Sequence, residues 1–190
     1  MFESILSSFL LVAFSEMGDK TQLLAFSLAV RFKKPWPILA GIFVATVLNH
    51  ALASYAGQWF SFALRRDVLG YVLGASFIVF GFWTLKPDTL EDEEKKPRFG
   101  AFLTTAVLFF LAEMGDKTQL ATVALGARYQ SALQVTFGTT LGMLASDGLA
   151  VFLGEKLSEK IQMKWIRIAA AGLFFLFGIF SIKQAISPGT

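Results

Sequence analysis

A charged eight-residue segment occurs twice in this chain, and each copy follows an apolar run. The segment EMGDKTQL stands at residues 16–23 and again, unchanged, at residues 113–120. The runs before them, FLLVAF at residues 9–14 and AVLFFL at residues 106–111, contain no polar side chain. Burying an ionised side chain in apolar surroundings is costly unless it is paired or binds something. The duplicated segment is therefore where the sequence predicts function.

The rest of the composition is typical of a membrane protein. Hydrophobic residues make up 55% of the 190 positions and charged residues only 16%, against about 25% charged in soluble domains. A helix needs roughly 20 apolar residues to cross a bilayer, and no segment alternates as a membrane β-strand would. We therefore predict an all-α membrane protein with six transmembrane helices, at about 4–30, 36–57, 68–86, 100–126, 131–153 and 165–183.

The two halves of the chain are repeats. A constant shift of 97 residues, without gaps, aligns them and pairs Arg31 with Arg128, Gly41 with Gly138 and so on. Because three helices reverse the direction of insertion, the second half is predicted to be inverted, an arrangement typical of secondary transporters. The predicted units are a first repeat at 1–86, an acidic linker at 87–98 and a second repeat at 99–190. The motif-bearing first and fourth helices are predicted to lie at the centre.

Basic residues indicate the orientation in the membrane. Eleven Lys and Arg residues fall in or beside the first, third and fifth connections, whereas four fall on the opposite side. By the positive-inside rule, the linker is cytoplasmic and both termini are outside. The net charge of +3 is thus interpreted as a topology signal, and no nucleic-acid partner is expected. The N-terminus has no basic region and is not predicted to be a cleaved signal peptide.

The acids of the motifs are candidate metal ligands. On a continuous helix, residues three apart share a face, so Glu16 and Asp19 are predicted to point the same way, with Gln22 at the edge. Gly18 is a plausible break point in the long first helix, and Gly115 is the equivalent point in the fourth helix. If the inverted halves face each other, their oxygens form the kind of cage that hard divalent cations prefer. The predicted ligands are Glu16, Asp19, Gln22, Glu113, Asp116 and Gln119, with Thr21 and Thr118 as further candidate oxygens.

Charge balance suggests what the site exchanges. Four carboxylates and two lysines leave a charge of −2, which one divalent cation or two protons would neutralise. We therefore expect metal and protons to compete for the same carboxylates. Lys20 and Lys117 are predicted to balance charge, with direct proton carriage as the alternative. A purely structural alternative is that the acids and lysines form buried ion pairs that fix helix register.

The second and fifth helices carry further polar residues. Asp147 is an intramembrane acid, which is by default a functional candidate, and the shift of 97 pairs it with His50. We expect Asp147, His50 and Asn49, together with the motif threonines, to relay protons or to support the ligands. A salt bridge between Asp147 and a motif lysine, or an ordinary hydrogen-bonded histidine, are the alternatives.

Several function classes are excluded or disfavoured by missing residues. The chain has no cysteine and a single histidine, so thiolate sites and multi-histidine zinc sites are absent. No H-E-x-x-H motif is present, and no nucleotide-binding loop indicates ATP-driven transport. We predict a transporter that is not an enzyme and has no cofactor. A passive divalent-cation channel and a non-transporting structural subunit stay open.

The doubled motif also carries a family resemblance. Two E-x-G-D-(K/R)-(S/T) motifs, each on the first helix of a three-helix repeat, resemble the small manganese and calcium cation:proton exchangers. These include Golgi and chloroplast members and bacterial manganese exporters of the MneA type. The resemblance implies a multi-pass protein of the bacterial cytoplasmic (inner) membrane that exports Mn²⁺ in exchange for H⁺. It leaves open a Ca²⁺/H⁺ exchanger, the proton stoichiometry and whether the chain forms a homo-oligomer.

Overall fold

The protein is helical throughout the part that the structure describes. A computed structural model describes residues 2–86, 99–158 and 163–186, and no strand occurs among them. This confirms the all-α prediction. The helices, labelled α1 to α8 in chain order, are Phe2–Glu16, Lys20–Phe32, Pro35–Ala63, Arg66–Thr84, Ala101–Glu113, Lys117–Tyr129, Ala132–Ser158 and Met163–Ile186.

Four of these helices are long and apolar enough to cross a membrane. They cover Pro35–Ala63, Asp67–Thr84, Ala132–Leu153 and Arg167–Ile186 within the described residues, and they coincide with the second, third, fifth and sixth predicted stretches. The first and fourth stretches differ. Each of them was predicted as one long apolar stretch with a plausible break at a glycine, and the chain forms two shorter helices in each place.

The breaks occur at the two motif glycines. Between α1 and α2, Gly18 has a φ of +80°, and between α5 and α6, Gly115 has a φ of +74°. Residues with a side chain rarely adopt this conformation, whereas glycine does so readily. The predicted break points are therefore confirmed. As a result, the charged residues lie at helix ends, where backbone groups have no partner within the helix and bind other groups instead.

Backbone details recur at the 97-residue spacing. Helix α2 is capped by Lys33, with a left-handed φ of 52°, and α6 is capped by Gln130, with a φ of 50°. In each case the cap N–H donates to the carbonyl four residues earlier, in Ala29 and Gly126 respectively. The repeat found in the sequence is thus visible in the local backbone as well.

The helices of one half pack mainly on those of the other. Helix α1 packs on α7 and α5 packs on α3, while α4 packs along α8. A Cβ at Gly138 would lie 2.5 Å from the Ile5 carbonyl oxygen, and one at Gly41 would lie 2.7 Å from the Phe102 carbonyl oxygen. These two crossings are related by the same shift of 97. Both require glycine because the backbones touch.

Two apolar clusters lie within this packing. One joins α4 and α8 to α1, α6 and α7 through Phe77, Phe174 and their neighbours. The other surrounds Val12, Phe109 and Met143 and joins α1, α5 and α7 to α2 and α3. The predicted unit boundaries remain predictions. The acidic linker at 87–98 lies outside the described residues.

Candidate metal site between the two motifs

Each motif forms a short turn between two helices. Glu16 is the last residue of α1 and Asp19 is the N-cap of α2, with the Asp19 backbone N–H donating to the Glu16 carbonyl oxygen at 3.1 Å. In the second half, the Asp116 N–H donates to the Glu113 carbonyl oxygen at 3.2 Å. Glu16 and Asp19 therefore do not lie on one continuous helix, although their carboxylate oxygens do point to the same place. The turn brings the acids together instead.

Three carboxylates from the two motifs meet in a buried cluster. One oxygen each from Glu16, Asp19 and Asp116 lies within 4.8 Å of the other two. These residues are only 0%, 2% and 6% exposed. Two ligands on opposite sides of Ca²⁺ are roughly 4.6–5.2 Å apart, twice the usual metal–oxygen distance. The spacing of the cluster is therefore suited to a shared divalent cation.

The lysines pair across the two motifs. Lys117 Nζ lies 2.6 Å from Asp19 Oδ2, and Lys20 Nζ lies 3.2 Å from Asp116 Oδ1. On a continuous helix, each lysine could instead pair with the glutamate four residues earlier in its own motif. The helix breaks remove that geometry. The crossed pairs join the halves electrostatically and agree with the charge-balancing role.

The two motif glutamates have different surroundings. Glu16 accepts hydrogen bonds from two hydroxyls: Thr21 Oγ1 donates to Oε2 at 2.5 Å, and Thr118 Oγ1 donates to Oε1. Glu113 is also completely buried, yet neither of its oxygens has a hydrogen-bond partner among the described residues. It does not belong to the cluster of three. The motif threonines therefore hold one glutamate, and the sequence symmetry is broken at the site.

Glu113 lies close to His50. The distance between His50 Nε2 and Glu113 Oε2 is 3.9 Å, and the imidazole is fully buried. Asp147, the repeat mate of His50, is fully buried too, and both of its oxygens lack a hydrogen-bond partner within the described chain. No ion pair between Asp147 and a motif lysine occurs among these residues. Their proposed roles in a proton relay remain predictions.

The two motif glutamines contact the turns. Gln22 Oε1 accepts from the Gly18 N–H at 2.8 Å, and Gln119 Oε1 accepts from the Gly115 N–H at 2.7 Å. A carbonyl oxygen has two lone pairs, so these bonds leave one for an ion. That Gln22 and Gln119 are ligands stays a prediction.

Two residues of the long helices approach the motifs. Asn49 accepts a long hydrogen bond, 3.5 Å, from Gln119 Nε2 and donates from Nδ2 to the Phe110 carbonyl oxygen at 3.0 Å. Ser146 accepts from Gln22 Nε2 through its carbonyl oxygen at 3.1 Å and its hydroxyl at 3.3 Å. We did not predict a role for Ser146. The sequence did contain a signal for it, because the shift of 97 residues pairs Ser146 with Asn49, which was among the predicted site residues.

Comparison with known proteins identifies the family of this chain. A family model described as "Divalent cation/proton antiporter GDT1" matches residues 4–92 and 101–188. The chain belongs to this family. A Vibrio cholerae protein named "Putative manganese exporter" is 47% identical over 169 residues, covering 88% of this chain and 84% of its own. A GDT1-like protein of Synechocystis is 32% identical over 203 residues, covering 95% and 97%.

A more distant GDT1 relative is found in plants. GDT1-like protein 3 of rice, Oryza sativa subsp. indica, is 28% identical over 211 residues, covering 95% of this chain and 74% of its own. No solved structure matches the chain. Membership of the GDT1 family makes the chain an integral membrane transporter and not an enzyme. A divalent cation and protons are the substrates that the family description names.

Proposed function

We propose that this protein exports Mn²⁺ from the bacterial cytoplasm in exchange for protons. The observation that carries the proposal is the buried cluster of carboxylates from both motifs, with its oxygens within 4.8 Å of one another. A buried site of carboxylate oxygens suits a hard divalent cation. The name of the Vibrio relative supports manganese and export.

Exchange follows from the charge of the site. The four motif carboxylates and the two crossed lysines carry −2 together when all are ionised. A buried excess charge of this size is unfavourable in the membrane interior. One divalent cation neutralises it, and so do two protons. The site therefore alternates between a metal-loaded form and a protonated form, which couples the two fluxes.

Glu113 provides the fourth carboxylate of the proposed site. It follows the same turn geometry as Glu16 but is free of the threonine hydroxyls. His50 Nε2 lies 3.9 Å from Glu113 Oε2, so the two side chains must move closer, or share a water, to exchange a proton. Asp147 lies on α7 at the position equivalent to His50 on α3 and forms the other end of the relay.

The proposed membrane arrangement has six spans in two inverted repeats. Four spans are the continuous helices α3, α4, α7 and α8. The broken pairs α1–α2 and α5–α6 form the other two, each with its motif at mid-depth. Broken helices of this kind line ion sites in transporters because their ends expose backbone and side-chain ligands. The termini lie outside, and the 87–98 linker lies in the cytoplasm.

Uptake into proteoliposomes tests the proposal. Vesicles with an acidic interior should accumulate Mn²⁺ and become more alkaline inside, and a protonophore should abolish the accumulation. Glu16→Gln and Asp116→Asn should each abolish uptake. Uptake that is equal with and without the pH gradient would indicate a passive channel. Faster uptake of Ca²⁺ than of Mn²⁺ at equal concentration would indicate a Ca²⁺/H⁺ exchanger.

A further inference from the structure

Gln22 bridges its own motif turn and a helix of the other half. Its Oε1 accepts from the Gly18 N–H at 2.8 Å, while its Nε2 donates to the Ser146 carbonyl oxygen at 3.1 Å and hydroxyl at 3.3 Å. The side chain is almost completely buried, with 6% exposed. One amide therefore joins the break between α1 and α2 to helix α7, in the turn before Asp147.

Gln119 forms the equivalent bridge in the second half. Its Oε1 accepts from the Gly115 N–H at 2.7 Å, and its Nε2 faces Asn49 Oδ1 at 3.5 Å. Asn49 continues the connection by donating to the Phe110 carbonyl oxygen of α5 at 3.0 Å. Because Asn49 and Ser146 are 97 residues apart, the same bridge is built twice with different acceptors.

The neighbours fix how each amide is oriented. A glycine N–H can only donate, so it requires the amide oxygen. The nitrogen then faces the oxygen of Ser146 in one half and that of Asn49 in the other. Both ends of the amide are thus matched to partners of opposite type. An ion at the second lone pair of that oxygen would compete with the glycine N–H for it and weaken the hydrogen bond that holds the turn.

We propose that Gln22 and Gln119 are positioning residues and not ion ligands. Each fixes the left-handed glycine turn that places the motif acids, and each ties that turn to the long helix of the opposite repeat. The inference rests on the proposed cation site. It deepens that proposal by separating the residues that contact the ion from those that hold the contacting residues in place.

The two roles predict opposite effects of one substitution. In Gln22→Glu, a carboxylate oxygen can still accept from Gly18 but can no longer donate to Ser146, and two oxygens then face each other. If Gln22 were a ligand, the added negative charge would strengthen binding of a cation. If Gln22 positions the turn, the same change weakens binding. The sign of the effect therefore decides between the roles.

Equilibrium binding of Mn²⁺ to the purified full-length chain in detergent tests this. Gln22→Glu should raise the dissociation constant by about tenfold, as expected for a lost buried hydrogen bond. Gln58→Glu is the matched control. Gln58 also accepts from a backbone N–H, that of Ala132 at 2.9 Å, but lies outside the motifs. The control should bind Mn²⁺ as the wild type does. Binding by Gln22→Glu that equals or exceeds wild-type affinity would overturn the inference.

A double-mutant cycle provides a second, independent test. Gln119→Ala and Asn49→Ala should each weaken Mn²⁺ binding, and the double variant should be no weaker than Gln119→Ala alone, because both remove one bridge. Effects that multiply would mean that Gln119 acts on the ion independently of Asn49, and would overturn the proposal. The melting temperature of each variant, measured without metal, separates loss of the site from loss of folding.

The wild-type result separates this inference from the proposed function. A wild-type chain that binds no divalent cation would contradict the proposed function, and this inference with it. Normal wild-type binding together with tighter binding by Gln22→Glu would contradict the inference alone. If Gln22→Glu does not fold, the cycle at Gln119 and Asn49 still decides the question.

Discussion

At the residue scale, the two motif lysines differ in their exposure to solvent. The Lys117 side chain is 3% exposed and lies 2.6 Å from Asp19, whereas that of Lys20 is 28% exposed and lies 3.2 Å from Asp116. Removing one partner of a buried ion pair typically costs about 3–5 kcal/mol, while partly solvated pairs contribute about 1 kcal/mol or less. The two positions should therefore respond unequally.

The corresponding prediction compares Lys117→Gln with Lys20→Gln. Lys117→Gln should lower the melting temperature substantially in buffer with a metal chelator, and Lys20→Gln should lower it much less. Thermal unfolding followed by intrinsic fluorescence in detergent measures both. Equal losses would show that the two crossed pairs are energetically equivalent and would contradict the burial argument.

The glycine of the second turn allows a test of backbone strain alone. Gly115 has a φ of +74°, and a Cβ there would meet no atom within 4 Å. Gly115→Ala should destabilise the turn by about 1–2 kcal/mol, the usual cost of a left-handed residue with a side chain, and reduce Mn²⁺ uptake.

Gly100→Ala is its control. Gly100 has equally open surroundings but a φ of −67°, so alanine fits there without strain. Uptake should stay at the wild-type level in this variant. Equal losses at the two positions would mean that the left-handed turn is not what the site requires.

The acids and lysines of the site could be identified from the sequence, but their partners could not. Spacings of three and four residues predict contacts on a continuous helix. The positive φ of Gly18 ends that helix, so Lys20 reaches Asp116 and not Glu16. Nor could the sequence show that both threonine hydroxyls donate to Glu16 and neither to Glu113. The two motifs have the same sequence, so nothing in it distinguishes one glutamate from the other. Such asymmetry arises only when the helices pack.

At the element scale, close helix crossings make specific glycines indispensable. A Cβ at Gly57 on α3 would lie 1.9 Å from the Val123 carbonyl oxygen on α6. Gly57→Ala should therefore push these helices apart and destabilise the protein by about 1–3 kcal/mol. At Gly172 on α8, a Cβ meets nothing within 4 Å. Gly172→Ala should be neutral or slightly stabilising, because alanine favours helix.

Melting temperatures of the two alanine variants check this prediction. The contrast between a tight and an open helical glycine removes the general effect of helix propensity. If Gly57→Ala melts at or above the wild-type temperature, the α3–α6 crossing is looser than described.

The sequence was sufficient to locate most helices but not to define the broken ones. Apolar length indicated α3, α4, α7 and α8 directly, and these form as continuous helices. For residues 4–30 and 100–126, apolar length alone favoured a single helix, and only the motif glycines indicated a break. A glycine in a helix can bend the helix, break it or only allow close packing. Which of these occurs depends on the residues that surround it in the fold, and the hydrophobic periodicity of the sequence does not identify them.

At the scale of the whole molecule, the proposed inversion of the second repeat predicts that equivalent positions are labelled from opposite sides of the membrane. Lys33 and Gln130 are repeat mates, both exposed and both left-handed helix caps. The chain has no native cysteine, so Lys33→Cys and Gln130→Cys each introduce a single reactive thiol. In intact cells, an impermeant maleimide should label the Gln130 variant but not the Lys33 variant. Labelling of both from the same side would contradict inversion.

We propose that the two halves of the chain build one shared cation site. The number of Mn²⁺ ions bound per purified chain tests this most directly, since three clustered acids come from both motifs. We predict one ion per wild-type chain, and loss of that binding in both Asp19→Asn and Asp116→Asn. Two ions per chain, or one ion retained at wild-type affinity in either variant, would contradict a single site shared by both motifs.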